Sequence, residues 1–311
     1  MKLESPNSNT RQSAPDGFII VAVLWILGAL AALVSIYAAF VIDTATALGV
    51  HDDRLRSEAL VSSALELTVY RLTGPLGTRP TGGQFNFRIG TANVAVDFRS
   101  EAARIDLNAA PKEVFAGLFA TLGARNDDAD NYANRLIGWR TVPPSGLDPE
   151  AAAYRTAGLR YAPRGGRFPH VSELSLVLGL PAVLVARVLP FVTVYSGRPQ
   201  VNILDAAPEV VAALPGMTAG RLNSILAQRR VNATNAELLL SSLGPARQYA
   251  TTEGSNSYRV LVRVAFEGGR QTIAEVVILL FEAGNEPYSV LSWRDDLEPS
   301  ASDDPLQKRW Q

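Results

Sequence analysis

Residues 18–42 read FIIVAVLWILGALAALVSIYAAFVI, a run without a formal charge that Asp43 closes. At ~1.5 Å of rise per residue, a helix this long covers about 37 Å, more than a hydrocarbon core of roughly 30 Å. Only helices and closed barrels satisfy their own backbone groups in lipid, so a single membrane helix is expected. A polar leader precedes it, ending in Gly17 and setting Lys2 and Arg11 against Glu4 and Asp16. The competing reading is a removed secretory signal, cut at Ala45-Thr46-Ala47 to free a soluble protein, such as a periplasmic enzyme, starting near Leu48. Such signals carry about 7–15 apolar residues behind a positive segment, and this run exceeds that. The flanking charges do not fix an orientation. With one span and a folded bulk after it, leader inside and bulk outside is the simpler topology.

Working outward, the helix is expected to continue past the lipid. Residues 43–72 hold no proline and one glycine, Gly49. Leu60, Ala64 and Leu67, with Val61, Leu65, Val69 and Leu72, recur at spacings of three and four and define an apolar face. Thr73-Gly74-Pro75 should stop the helix after about 55 residues. Beyond it, Phe85, Phe87 and Ile89 share one face of a strand, and Val94, Val96 and Phe98 share another. Tyr258, Val260, Val262, Val264 and Phe266 alternate with Arg259 and Arg263, turn at Gly268-Gly269, and return as Thr272 to Leu280. These segments predict an antiparallel sheet with one face packed on the helix. Alternation disappears between about 105 and 245, where helical spacing takes over. That interval reads as an insertion into the sheet domain.

The insertion contains an echo. Asn108-Ala109-Ala110-Pro111 resembles Asp205-Ala206-Ala207-Pro208, 97 residues later, and each copy leads into an apolar helix. Asn108 and Asp205 are expected to cap those helices, with proline in the first turn. After the second copy come Leu214-Pro215-Gly216-Met217-Thr218 and then Leu222, Ile225 and Leu226. Helix, Leu-Pro-Gly turn, helix is the pattern of a helix-hairpin-helix unit. Such units often bind DNA phosphates through hairpin N–H groups, and Arg221, Arg229 and Arg230 are candidate cations. Thr218, however, stands where close backbone approach to a phosphate favours glycine.

Composition narrows the function classes. A formal net charge of −1 gives no global basic field for nucleic acid. The chain has no cysteine, which removes disulfides and thiolate metal sites. Its two histidines, His51 and His170, leave little imidazole chemistry, and no hydrolase elbow, zincin or phosphate-loop motif is present. An enzyme is not expected.

Gly17-Phe18 at the head of an uncharged helix resembles a prepilin-type leader. Together with Leu24-Trp25, Phe168-x-x-Val171-x-Glu173-Leu174, Val192-Thr193-Val194-Tyr195 and Val290-Leu291-Ser292-Trp293-Arg294, it is similar to the type II secretion system protein K family. The resemblance implies an α+β fold, with a pilin-like long N-terminal helix packed on an antiparallel sheet and a large all-helical insertion containing helix-hairpin-helix-like units. It divides the chain into a leader (1–17), the transmembrane and exterior helix (18–73), a sheet domain (74–104 plus 246–294), the inserted helical domain (105–245) and a flexible tail (295–311). Gly17 and Phe18 become the processing site, cut by prepilin peptidase and then methylated.

The implied role is a minor pseudopilin of the inner membrane, with its bulk in the periplasm, at the tip of the secretion pseudopilus. Implied partners are the other minor pseudopilins, the major pseudopilin, the inner-membrane secretion platform and lipid. Ala22 stands where most proteins with a prepilin-type leader place a glutamate that is thought to pair with a neighbouring subunit's amine. A subunit with nothing stacked ahead of it needs no such carboxylate. The alternative is a membrane-anchored helix-hairpin-helix DNA receptor of the competence type. Some family members bind calcium after a tryptophan in the insertion. Here Trp139 leads into Arg140-Thr141-Val142-Pro143-Pro144, with Asp148 and Glu150 the nearby acids. Calcium wants six to eight oxygens, so no cofactor is expected. The oxygen-rich stretch Asn126–Asn131 reads instead as an acidic helix start.

Overall fold

The computed structural model describes residues 16–74, 79–142, 148–231, 236–267 and 269–295, without the side chains of residues 16–19, 42–53, 230 and 231. Helix α1 (Asp16–Thr73) takes in the whole apolar run and ends where Thr73-Gly74 was expected to end it. The chain forms two compact units that divide within α1, residues 1–59 and 60–311.

In the first unit, Ile20–Val41 is a membrane-length apolar segment, and none of it is buried among the described residues. Trp25 is 77% exposed and Ile36 69%. Such a surface is at home in lipid or against other apolar helices.

The second unit opens with the last turns of α1. Leu60, Val61, Ala64, Leu65, Val69 and Leu72 are buried, as the spacing predicted. Leu67 is only partly buried, and Thr68 takes the central place instead. The Thr68 hydroxyl donates to the Ala64 carbonyl at 2.7 Å, so a polar residue reaches the core with its hydrogen bond already made.

Two strands follow, β1 (Gly82–Ile89) and β2 (Ala92–Ser100). The insertion then begins with β3 (Ile105–Asp106), α2 (Lys112–Thr121), α3 (Asn126–Arg140) and α4 (Pro149–Thr156). It continues through α5 (Ala182–Val188), β4 (Val192–Thr193), β5 (Val201–Asn202), α6 (Pro208–Ala212), α7 (Ala219–Val231), α8 (Ala236–Ser241) and β6 (Ala250–Thr251). The chain closes with β7 (Ser257–Ala265), β8 (Gln271–Leu280) and β9 (Tyr288–Arg294).

The main sheet is antiparallel in the order β1-β2-β7-β8-β9. β2 therefore pairs with β7 across the insertion, and Ser100 sits opposite Tyr258. The insertion leaves and returns through one neck, where Ser255 N–H donates to Ser100 Oγ at 2.7 Å. Gly268 lies outside the described residues; Gly269 has φ +77° and its N–H closes the β7–β8 turn on Phe266.

Two cores result. One joins α1 from Leu60 onward to Val94, Val96, Val260, Val262, Val276 and Ile278 of the sheet. The other lies within the insertion, around Phe115, Phe119, Leu136, Trp139, Tyr154 and Leu174. Helices dominate the insertion, but it is not all-helical. β3 pairs with β4 and β5 with β6 as two-residue parallel ladders. Strands so short leave no alternation to read, and only chain closure over a long span creates them.

Candidate functional site

The echo proves to be a repeat in hydrogen bonding, offset by one residue from the sequence match. Asp106 and Asn202, not Asn108 and Asp205, occupy equivalent places. Asp106 Oδ1 accepts from Asn108 N–H at 2.7 Å, and Asn202 Oδ1 accepts from Leu204 N–H at 2.8 Å. Leu107 N–H donates to Thr193, and Ile203 N–H donates to Thr251. Arg140 of α3 donates to the Ala110 carbonyl, and Arg229 of α7 to that of Ala206. The prolines mislead the alignment because Pro111 is the N-cap of α2, whereas Pro208 is already inside α6. A residue without an N–H is tolerated at either position.

The expected side-chain caps are absent. Pro111 and Ala207 cap α2 and α6 without a side-chain bond. Asn108 instead grips the Phe168 backbone through both of its amide atoms, and Asp205 accepts from the Thr81 hydroxyl. Asn108 thus fastens two distant segments of the insertion, and Asp205 ties it to the chain ahead of β1.

The hairpin between α6 and α7 has Gly216 at φ +77°, a conformation that suits glycine. Its arginines are engaged. Arg221 donates to the Gly216 carbonyl at 2.7 Å, and Arg229 is buried on Ala206; the Arg230 side chain lies outside the described residues. Both described arginines thus make backbone bonds that brace the hairpin.

A charged clamp stands between the insertion and the sheet. The Glu101 carboxylate, 1% exposed, receives Arg259 at 2.8 Å and the Thr193 hydroxyl. Arg259 also donates to Glu275, which accepts from Arg294 of β9. Burial alone would push the Glu101 carboxyl up, but Arg259, Arg104 and the Thr193 hydroxyl hold it below its usual value. Glu275 is likewise held down against burial by Arg259, Arg294 and Arg104. Burial disfavours the Arg259 cation, yet Glu101 and Glu275 raise its pKa. Reading the sequence one strand at a time misses this group. Arg259 and Glu275 become neighbours only through the β7–β8 register, and Glu101 sits at the far end of β2.

His170 caps the turn at Val171–Leu176, its Nδ1 accepting from Ser172 N–H, and His51 lies within α1 with its side chain outside the description. Asp148 caps α4 through Ala151 N–H, and Glu150 pairs with Arg135 at 2.9 Å. Both acids near Trp139 thus already have structural partners. Asp128 meets Arg125, and Asp130 meets Lys112, around the start of α3. Among the described residues, no group of three or more His, Asp or Glu side chains converges as a metal site. Gly17 and Phe18 fall in the first turn of α1, their side chains outside the description.

A family model described as type II secretion system (T2SS), protein K, matches residues 93–197. Among solved structures, a chain from the GspK–GspI–GspJ complex of the enterotoxigenic Escherichia coli type 2 secretion system superposes with a TM-score of 0.57 at 18% identity. The match covers 80% of this chain and 98% of that one. At that identity the likeness is one of fold, a pilin-like α+β sheet domain with a helical insertion. A search among curated proteins returns no match.

Proposed function

We propose that the chain, whose residues 93–197 match the type II secretion system protein K model, is a minor pseudopilin of that family that initiates or caps the secretion pseudopilus. The supporting observation is the pairing of that family match with an uncovered apolar helix, Ile20–Val41. The helix holds the subunit in the inner membrane, with residues 60–295 in the periplasm, until sister helices dock beside it. Prepilin peptidase cuts after Gly17, so the mature chain begins at Phe18. The other partners are counterparts of GspI and GspJ, the major pseudopilin and the membrane platform. The role is structural, with no cofactor and no catalytic step.

Ala22 supports a place at the tip. A carboxylate there would need a cation from a subunit stacked ahead, because an unpaired charge in lipid is costly. The test is terminal mass spectrometry with affinity purification from detergent extracts. A mature terminus at Phe18 and co-purification of two smaller leader-bearing subunits are expected. A soluble chain starting near Leu48, or a native terminus elsewhere than Phe18, would overturn the reading.

A further inference from the structure

The segment Val290–Arg294 has one residue in the charged clamp, Arg294; the rest lies on the outermost strand of the sheet. β9 pairs with β8 on one side, and among the described residues no strand lies on its other side. The register sets Tyr288, Val290 and Trp293 opposite Leu280, Ile278 and Val276, all buried on the α1 side. Yet Val290 is 45% and Trp293 36% exposed. Ser289 and Ser292 pair with Leu279 and Val277 and so take the other face.

Exposed edges are usually blunted by charges or proline. β1, at the opposite edge, carries Gln84, Asn86 and Arg88 between its apolar residues. The one charge in β9 is Arg294, at the strand's end, where it donates to Glu275 while its side chain stays more than half exposed. A row of main-chain donors and acceptors flanked by apolar side chains suits an extended chain as occupant. The surrounding charge narrows the choice. Glu282 and Glu286 are exposed in the connection leading into Tyr288, and no cation pairs with either among the described residues.

We propose that β9 is an assembly seam that receives a β-strand from a sister minor subunit. That strand is apolar on the α1 side and polar on the other, with a basic residue at the end beside Glu282 and Glu286. The proposal rests on the minor-pseudopilin reading and adds to it the surface and the binding mode. The incoming strand extends the sheet and covers Val290 and Trp293, while its cation meets the two acids.

The test uses the full chain in detergent with the purified counterparts of GspI and GspJ. Val290→Lys and the double change Glu282→Lys/Glu286→Lys should each weaken capture at least tenfold. Asn86→Lys on the opposite edge should leave it unchanged. Amide hydrogen exchange on the wild-type complex, which needs no variant, should show new protection in β9 and none in β1. Wild-type capture without β9 protection, or undiminished capture by Val290→Lys, overturns the seam while leaving the pseudopilin reading intact. Failure of wild-type capture overturns that reading itself. β9 protection already present in the isolated chain and lost on deleting residues 296–311 would assign the edge to the chain's own tail and overturn the proposal. Protection that instead depends on chain concentration, without sister subunits, would assign it to a second copy, with the same consequence.

Discussion

An alanine at Gly117 would set its Cβ 1.9 Å from the Ala213 carbonyl oxygen, where α2 meets the end of α6 backbone to backbone. Neither backbone can swing aside like a side chain, so Gly117→Ala should cost about 2 kcal/mol or more in denaturant unfolding. Gly138 is the contrast, since its added Cβ meets only the Glu150 side chain at 3.1 Å, which can yield. Gly138→Ala should therefore cost clearly less in the same measurement. The Glu101 carboxylate sets a second expectation at this scale. Its carboxyl is held below its ordinary pKa when folded, so its stabilisation is full above the ordinary value and fades as pH falls through the folded one. Glu101→Gln leaves Arg259 buried with half its partners, a loss of about 3–5 kcal/mol near neutrality. The gap between wild type and variant should narrow on acidification below about pH 4, and a gap independent of pH would remove Glu101 as the cause.

At the scale of elements, the last turns of α1 show what periodicity can reveal. Leu60, Val61, Ala64, Leu65, Val69 and Leu72 point into the sheet because three- and four-residue spacing fixes a helix face whatever it packs against. Leu65→Ala should cost about 2–5 kcal/mol. Thr68 escapes the same reading because its hydroxyl is satisfied inside its own helix, which lets a polar residue pass for apolar. Thr68→Val should then be neutral or stabilising by up to about 1 kcal/mol, read from the same unfolding curves. The four longer strands, β1, β2, β7 and β8, were equally legible, since alternation survives wherever one sheet face is buried. β9 was not, because a register shift between Val277 and Ile278 breaks its period. The short parallel ladders and the clamp of Glu101, Arg259 and Glu275 arise from partners far apart in sequence, and no local window contains them.

For the whole molecule, the neck at Ser100 and Ser255 explains how a pilin-like sheet carries so large an insertion: β2 and β7 remain neighbours in register while the intervening chain builds its own core. Of the membrane end, the long uncharged helix was readable because its signal is chemically local, a run of apolar residues. The membrane end offers the most direct test of the proposed role, since Ala22 lies within an apolar helix that is not buried among the described residues. A carboxylate introduced by Ala22→Glu can escape an unpaired state in lipid by taking a neighbour's terminal amine or by shifting the helix towards the interface. A tip subunit has no subunit ahead to offer that amine. Membrane insertion should therefore stay within about twofold of wild type, because a charge near a helix end is far cheaper than one at the bilayer centre. Fibre initiation, measured as secreted cargo per cell, should fall several-fold more than insertion does. Unimpaired secretion in that variant would mean that the position tolerates a paired glutamate, and the argument from Ala22 to the tip would fail while the family assignment stood.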